Sequence, residues 1–265
     1  MHRFYVPPNE WNADALVLSG SEAHHARDVL RMKRGDKAVL FNGRGREITG
    51  EIVDLGRGEI RLRKLNESET PPLRCRIALG QAIPKGKNME LIVQKAVEIG
   101  AAEIIPLISA RTIVHLDEKE ARRKQTKWET VAIDAAKQCG QNWLPQVHAP
   151  QTLKDFFDVA AVSDRRTNLF GAQRAPLQKA FDLQLIGSLQ PGASHLKKVL
   201  ADYSAEHERS PQSVLMLIGP EGDFTPAELA LARTHACQPI TLGPIVLRVE
   251  TAAFYCLSVL SYELF

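Results

Sequence analysis

The sequence predicts an α/β protein: a domain with a mostly parallel sheet, preceded by a small β-rich domain. Three observations carry this. From Arg76 onward, short apolar strands alternate with amphipathic helices. Val214 to Ile218 is an unbroken apolar run, as expected of a strand buried on both faces. Before that, residues 66–72 form a polar stretch ending in Pro71-Pro72, which reads as a linker behind a region of short strands. The expected domains are therefore 1–72 and 73–265.

In the first domain, Ser21 to Leu30 reads as one helix, with Ser19 or Ser21 as N-cap and a stop near Gly35. Ala38–Phe41 and Glu47–Val53 are strand candidates. Asn42-Gly43 between them is a hairpin signal that Arg44-Gly45 extends. Glu59–Leu62 alternates again. In the second domain, strands are expected at Arg76–Gly80 and Glu103–Ile108. Helices are expected at Met89–Ile99, ended by Gly100, and from about Glu118 to Gln138. Residues 159–211 follow no clear pattern.

The 265 residues carry a net charge of +3 and no apolar run long enough for a membrane span. The start opens directly into mixed residues and predicts no signal peptide, so the cytoplasm is the expected compartment. Four cysteines form no CxxC pair, which predicts reduced, structural thiols and no metal. The basic residues are not spread evenly. Between His24 and Arg46 stand seven Lys/Arg against two acids. Such a patch is the footprint of a phosphate-backbone binder or a solvated charged face.

Two segments carry the chemistry. In the first, the strand ending at Ile218 runs through Gly219-Pro220-Glu221-Gly222-Asp223 into a helix. Thr225 is its expected N-cap, with Pro226 at the first helical position and Glu228 closing a capping box. Phe224 and Leu229 are placed to staple the entry. Two glycines allow close backbone approach of a ligand, with a side chain at Gly219 expected to intrude on it. The alternative is a tight turn alone. In the second segment, a strand meets Gly243-Pro244 and then Arg248 and Glu250 at the start of a helix. Glu250 suits a helix N-terminus, whereas Arg248 does not and calls for a fixed partner such as Glu250, a cofactor or a phosphate. No GxGxxG follows the first strand of the second domain, which argues against a dinucleotide-binding oxidoreductase.

Taken together, the segments 218–224 and 242–252 resemble the S-adenosylmethionine (SAM) signature of the SPOUT superfamily, and most closely the bacterial 16S ribosomal RNA uridine N3-methyltransferases. Residues 85–100, Pro106 with Ser109-Ala110-Arg111, and Ala135–Gly140 with Pro145 resemble further blocks of that family. Residues 2–6 and 24–31 resemble its PUA-like RNA-binding domain. This chain departs from the pattern at Ile245 and Gln141, where the family usually has arginine, and at Val249, where it usually has threonine.

The resemblance implies a SPOUT-type trefoil-knotted domain behind a small β-barrel PUA-like domain. It implies a SAM pocket made by Leu217, Ile218, Gly219, Pro220, Glu221 and Gly222 with Leu242, Gly243, Ile245, Val246, Leu247 and Thr251. Arg248, Arg111 and Glu221 become the catalytic candidates. His24, His25, Arg27, Arg31 and Arg34 become the RNA-binding ones, with Arg27 and Arg31 on one helix face. Trp143 lies in a block expected near the pocket. The implied substrate is 16S rRNA in the small ribosomal subunit or a late precursor. A methyltransferase for another rRNA nucleotide, or a non-catalytic ribosome-assembly factor on the same scaffold, is the alternative. A homodimer is also implied. The apolar segment 251–265 suits it, with Phe254 and Leu257 expected on the exposed face.

Overall fold

The computed structural model describes residues 1–86, 88–112, 116–162 and 181–265. Lys87 of the family-like block 85–100, and residues 163–180 of the stretch without pattern, lie outside the described residues. The chain forms two compact units: Met1–Pro72 with Ala132–Leu144, and Leu73–Val131 with Pro145–Phe265.

The first unit holds β1 (His2–Tyr5), β2 (Leu16–Ser19), α1 (Gly20–His24), β3 (Lys37–Phe41), β4 (Arg46–Leu55) and β5 (Glu59–Glu69). Its sheet runs β1-β3-β4-β5-β2, with β1 parallel to β3 and the other neighbours antiparallel. Alternate side chains, among them Phe4, Leu18, Leu40, Ile48, Ile52 and Ile60, fill one core. The β3–β4 hairpin turns where Asn42-Gly43 predicted it. Asn42 Oδ1 accepts the Arg44 and Arg46 N–H groups at 2.8 and 3.2 Å.

Two expectations need correction here. Asn66 to Glu69 is strand, not linker: these residues complete β5 and pair with Thr49 back to Arg46. Their polarity fits a strand face that stays in water, and Glu67 pairs there with Arg46 and Lys64. The predicted helix is also broken. After α1 the backbone widens into a π-helical turn, His25–Val29, and Arg31 sits at φ +54°, past its end. Arg27 and Arg31 therefore do not share a helix face.

The second unit contains β6 (Arg76–Ala82), α2 (Asn88–Ile99), β7 (Glu103–Ile108), α3 (Glu118–Cys139, whose last turns belong to the first unit), β8 (Gln146–Val147), β9 (Gln151–Thr152), α4 (Leu153–Val162), β10 (Leu183–Gly187), β11 (Ser194–His195), α5 (Leu196–His207), β12 (Ser213–Ile218), α6 (Pro226–Thr234), β13 (Gln238–Thr241) and α7 (Val249–Leu264). The sheet order is β11-β13-β10-β12-β6-β7-β8, with β9 also on β7, and each neighbouring pair is parallel. The apolar run expected in the centre is β12, and Val214 to Leu217 are wholly buried. Of the segment without pattern, the described part supplies β10, β11 and α5. α7 packs on α2 and β6. Its buried residues Val249, Ala253, Cys256, Leu257, Leu260 and Leu264 form one stripe.

Candidate functional site

A cavity of about 460 Å³ opens in the second unit, beyond the carboxyl ends of β10, β12 and β13. Open parallel sheets bind ligands at this end. Three loops wall it, of which the sequence pointed to two.

The loop after β12 is held at both ends. Thr225 Oγ1 accepts the Glu228 N–H at 3.3 Å, and Glu228 Oε2 accepts the Thr225 N–H at 2.9 Å. The capping box is thus complete, Pro226 starts α6, and Phe224 and Leu229 are buried together as expected. Glu228 Oε1 takes a further bond, from the Ala110 N–H at 2.9 Å. Ile218, Gly219, Pro220 and Glu221 line the cavity, whereas Leu217 and Gly222 do not. Leu217 is fully buried in the sheet, where its side chain packs the core. Gly219 serves its own loop. A Cβ there would meet Phe224 N at 3.1 Å, so the restriction comes from the turn and not from a ligand.

The loop after β13 brings Leu242, Gly243, Ile245, Val246, Leu247 and Arg248 to the cavity. Gly243 has φ +117°, a conformation that side chains other than glycine's rarely adopt. Arg248 is the N-cap of α7, in extended conformation, so it precedes the first turn where it was expected. Its side chain is exposed, and the described residues offer it no ion pair or side-chain hydrogen bond. Thr251 does not line the cavity and is exposed.

Of the other catalytic candidates, Glu221 lines the cavity and its Oε1 accepts the Lys85 N–H at 3.0 Å. Arg111 does not line it. Its guanidinium donates to the Gly222 carbonyl from behind the loop, which makes it a clamp on the turn. Trp143 belongs to the first unit, where Nε1 donates to Thr70 O at 2.8 Å and the ring packs on Gly45.

Sequence reasoning missed several wall residues. Gly187, Ser188 and Leu189 come from the segment without pattern. Asp223, at φ +63° and buried, accepts the Leu189 N–H at 3.0 Å and its neighbour Phe224 N–H at 2.8 Å, tying the third loop to the first. Its signal was the Gly-Asp pair in a tight turn, since Asp tolerates the left-handed region. Asn88 and Glu250 also line the cavity.

The RNA-binding candidates lie in the first unit and fall into two groups. Arg27 is bound to Asp28 and to the carbonyls of Gly56 and Arg57, and His24 also contacts Asp28. The Arg27 hydrogen bond holds the Asp28 carboxyl down to about 2. These charges are satisfied within the fold. His25 is exposed, with its ring edge-on to Phe4. Arg31, Lys33 and Arg34 in the turn before β3, and Lys37 at its start, are exposed, and the described residues give their side chains no ion pair. Of the candidates, Arg31 and Arg34 are thus the arginines without an ion pair among the described residues.

Burial pushes the thiols of Cys75, Cys237 and Cys256 up to about 11, 12 and 12, so they stay protonated and inert. Among the described residues no cluster of side chains could hold a metal ion, and no helix is long and apolar enough to cross a membrane.

A parallel sheet with a walled cavity at its carboxyl edge, in a chain that begins with a small β-sheet unit, defines the class. A family model described as an RNA methyltransferase domain matches residues 71–261, and one described as an RNA methyltransferase PUA domain matches residues 18–65. The chain belongs to this RNA methyltransferase family, in agreement with its SPOUT-like motifs. Among its relatives is the ribosomal RNA small subunit methyltransferase E of Bacillus subtilis, 31% identical over 99% of this chain and 97% of that protein. A methyltransferase of Legionella pneumophila, solved with SAM bound, is 32% identical with a TM-score of 0.80, covering 98% of this chain and 97% of that one. The ribosomal RNA small subunit methyltransferase E of Neisseria gonorrhoeae, also solved with SAM, is 26% identical with a TM-score of 0.77, covering 99% and 98%.

Proposed function

We propose that the protein uses SAM to methylate N3 of a uridine in the 16S RNA of the small ribosomal subunit, in the bacterial cytoplasm. The observation that carries this reading is Arg248, an exposed arginine without a partner among the described residues, at the wall of a ligand-sized cavity in a chain of this family.

The cavity suits SAM. Its volume lies within the usual range for small-molecule sites. At Gly243 an added Cβ would meet no atom within 4 Å, so the backbone there is open to a ligand. Ile218, Leu242 and Leu247 supply apolar wall for a flat ring, and carboxylates stand beside them for a cation. SAM supplies an electrophilic methyl group on a positive sulfonium. The chain supplies the rest. The rigid loops fix the ligand, and the backbone around Gly243 approaches it closely. N3 of uracil gives up its proton to water to become a nucleophile, and the Arg248 guanidinium stabilises the anion that develops. Arg111 and Glu221 act through the loop that they hold. The turn 31–37 binds RNA phosphates.

The protein acts as a homodimer in this reading, with a corrected surface. Leu257 is buried within its own chain. Exposed apolar residues beside the cavity and on the outer face of α7 include Leu189, Ile245, Val246, Tyr255 and Tyr262.

Mass spectrometry of 16S rRNA from a strain lacking the protein tests the assignment. A single N3-methyluridine should disappear and return with the wild-type gene, not with Arg248→Ala. Loss of a different methylated nucleotide would reassign the target. An unchanged rRNA would favour an assembly factor.

A further inference from the structure

We infer that Glu250 reads the charge of the ligand, so that the cavity prefers a cationic cofactor over its neutral demethylated product. This rests on the proposal that the cavity holds SAM. Four charged side chains line the cavity: Glu221, Asp223, Arg248 and Glu250. They are not equivalent. Both Asp223 oxygens accept backbone N–H groups, so that carboxylate is spent on holding loops. Glu221 is exposed and bound to the Lys85 N–H, so solvent screens it. Arg248 is exposed and makes no ion pair among the described residues, Glu250 included.

Glu250 differs. It is half-buried, and among the described residues its one side-chain partner is the Asn88 amide, with Nδ2 3.3 Å from Oε2. A neutral amide orients a carboxylate without cancelling its charge. Among the described residues no cation pairs with it, so the wall carries a half-buried negative group whose charge a ligand can answer. A ligand of the same shape gains from it only when positively charged, and the gain is larger away from bulk water. Methyl transfer converts the sulfonium into a neutral thioether. The attraction then vanishes, and product leaves more easily than substrate.

Three ligands of nearly one shape test this: SAM, its neutral product S-adenosylhomocysteine, and sinefungin, which bears an ammonium where SAM bears the sulfonium. Calorimetry is run on wild type and on Glu250→Gln, which keeps shape and can keep an Asn88 contact. The expected result is about a tenfold loss of affinity for both cations in the variant, with S-adenosylhomocysteine binding within about twofold of wild type. An equal loss for all three ligands would overturn the inference and make Glu250 a structural residue. Unchanged affinity for all three would also overturn it. If wild type bound none of them, the cofactor assignment itself would fail, a result separable from the other two. Asn88→Ala serves as a second variant: a smaller loss in the same direction supports the inference, and a loss confined to the neutral ligand contradicts it.

Discussion

Arg111 donates a hydrogen bond from its guanidinium to the carbonyl oxygen of Gly222, 111 residues further along the chain. That bond ties the end of β7 to the loop after β12 from outside the cavity. Arg111→Ala should therefore loosen the loop and weaken SAM binding about tenfold, with kcat at saturating SAM changed less. Calorimetry and initial rates give the split. A collapse of kcat with SAM affinity intact would instead place Arg111 at the reacting atoms.

Arg248→Ala should show the opposite split. The residue faces open cavity and does not brace a loop. Removing one stabiliser of a developing anion typically costs on the order of a hundredfold in kcat. SAM affinity should stay within about threefold, and equal losses would mark Arg248 as a cofactor ligand.

Gly243→Val should abolish SAM binding while the fold survives. The backbone at φ +117° resists a side chain, and the new atoms would project into space that the protein does not occupy. Circular dichroism and calorimetry together check this. Gly219→Val would disturb a different loop, because its Cβ meets Phe224.

RNA affinity should depend on the turn before β3 more than on the π-helical turn. Reversing Arg31 and Arg34 to Glu should weaken rRNA or subunit binding at least tenfold and flatten its salt dependence, with SAM binding unaffected. Arg27→Glu should chiefly lower stability, because Arg27 is tied to Asp28 and to two carbonyls. Filter binding across a salt series, with thermal melts, separates the two.

Glu103 makes stability depend on acid pH. Burial works against its charge, but the hydrogen bond with His148 and the charge of Arg76 outweigh this and hold its carboxyl below the usual 4.5. A depressed folded value means the contribution is complete above the unfolded value and is lost as pH falls through the folded one. Glu103→Gln should thus cost about 1–3 kcal/mol at neutral pH, narrowing toward zero in acid. Urea melts at several pH values test the sign.

The sequence by itself determined many of the elements and the two glycine loops that wall the cavity. The capping box at Thr225 and Glu228, the Asn42-Gly43 hairpin and the apolar β12 are local codes, written within a few residues. Family-like motifs supplied what periodicity cannot, the kind of cofactor and substrate. Only the tertiary structure sorted the charged residues. Arg27, Arg111 and Arg248 look alike in the sequence, yet the first is spent on Asp28, the second on Gly222, and the third faces the cavity. It also brought Leu189 against Asp223, and Asn88 against Glu250. The physical reason is that a side chain's task depends on which partners reach it, and those partners come from strands that neighbour in the sheet but not in the chain. Leu257 shows the same on the apolar side: a helix apolar almost all round does not say which face its own chain covers, and here α2 and β6 cover the one that bears it.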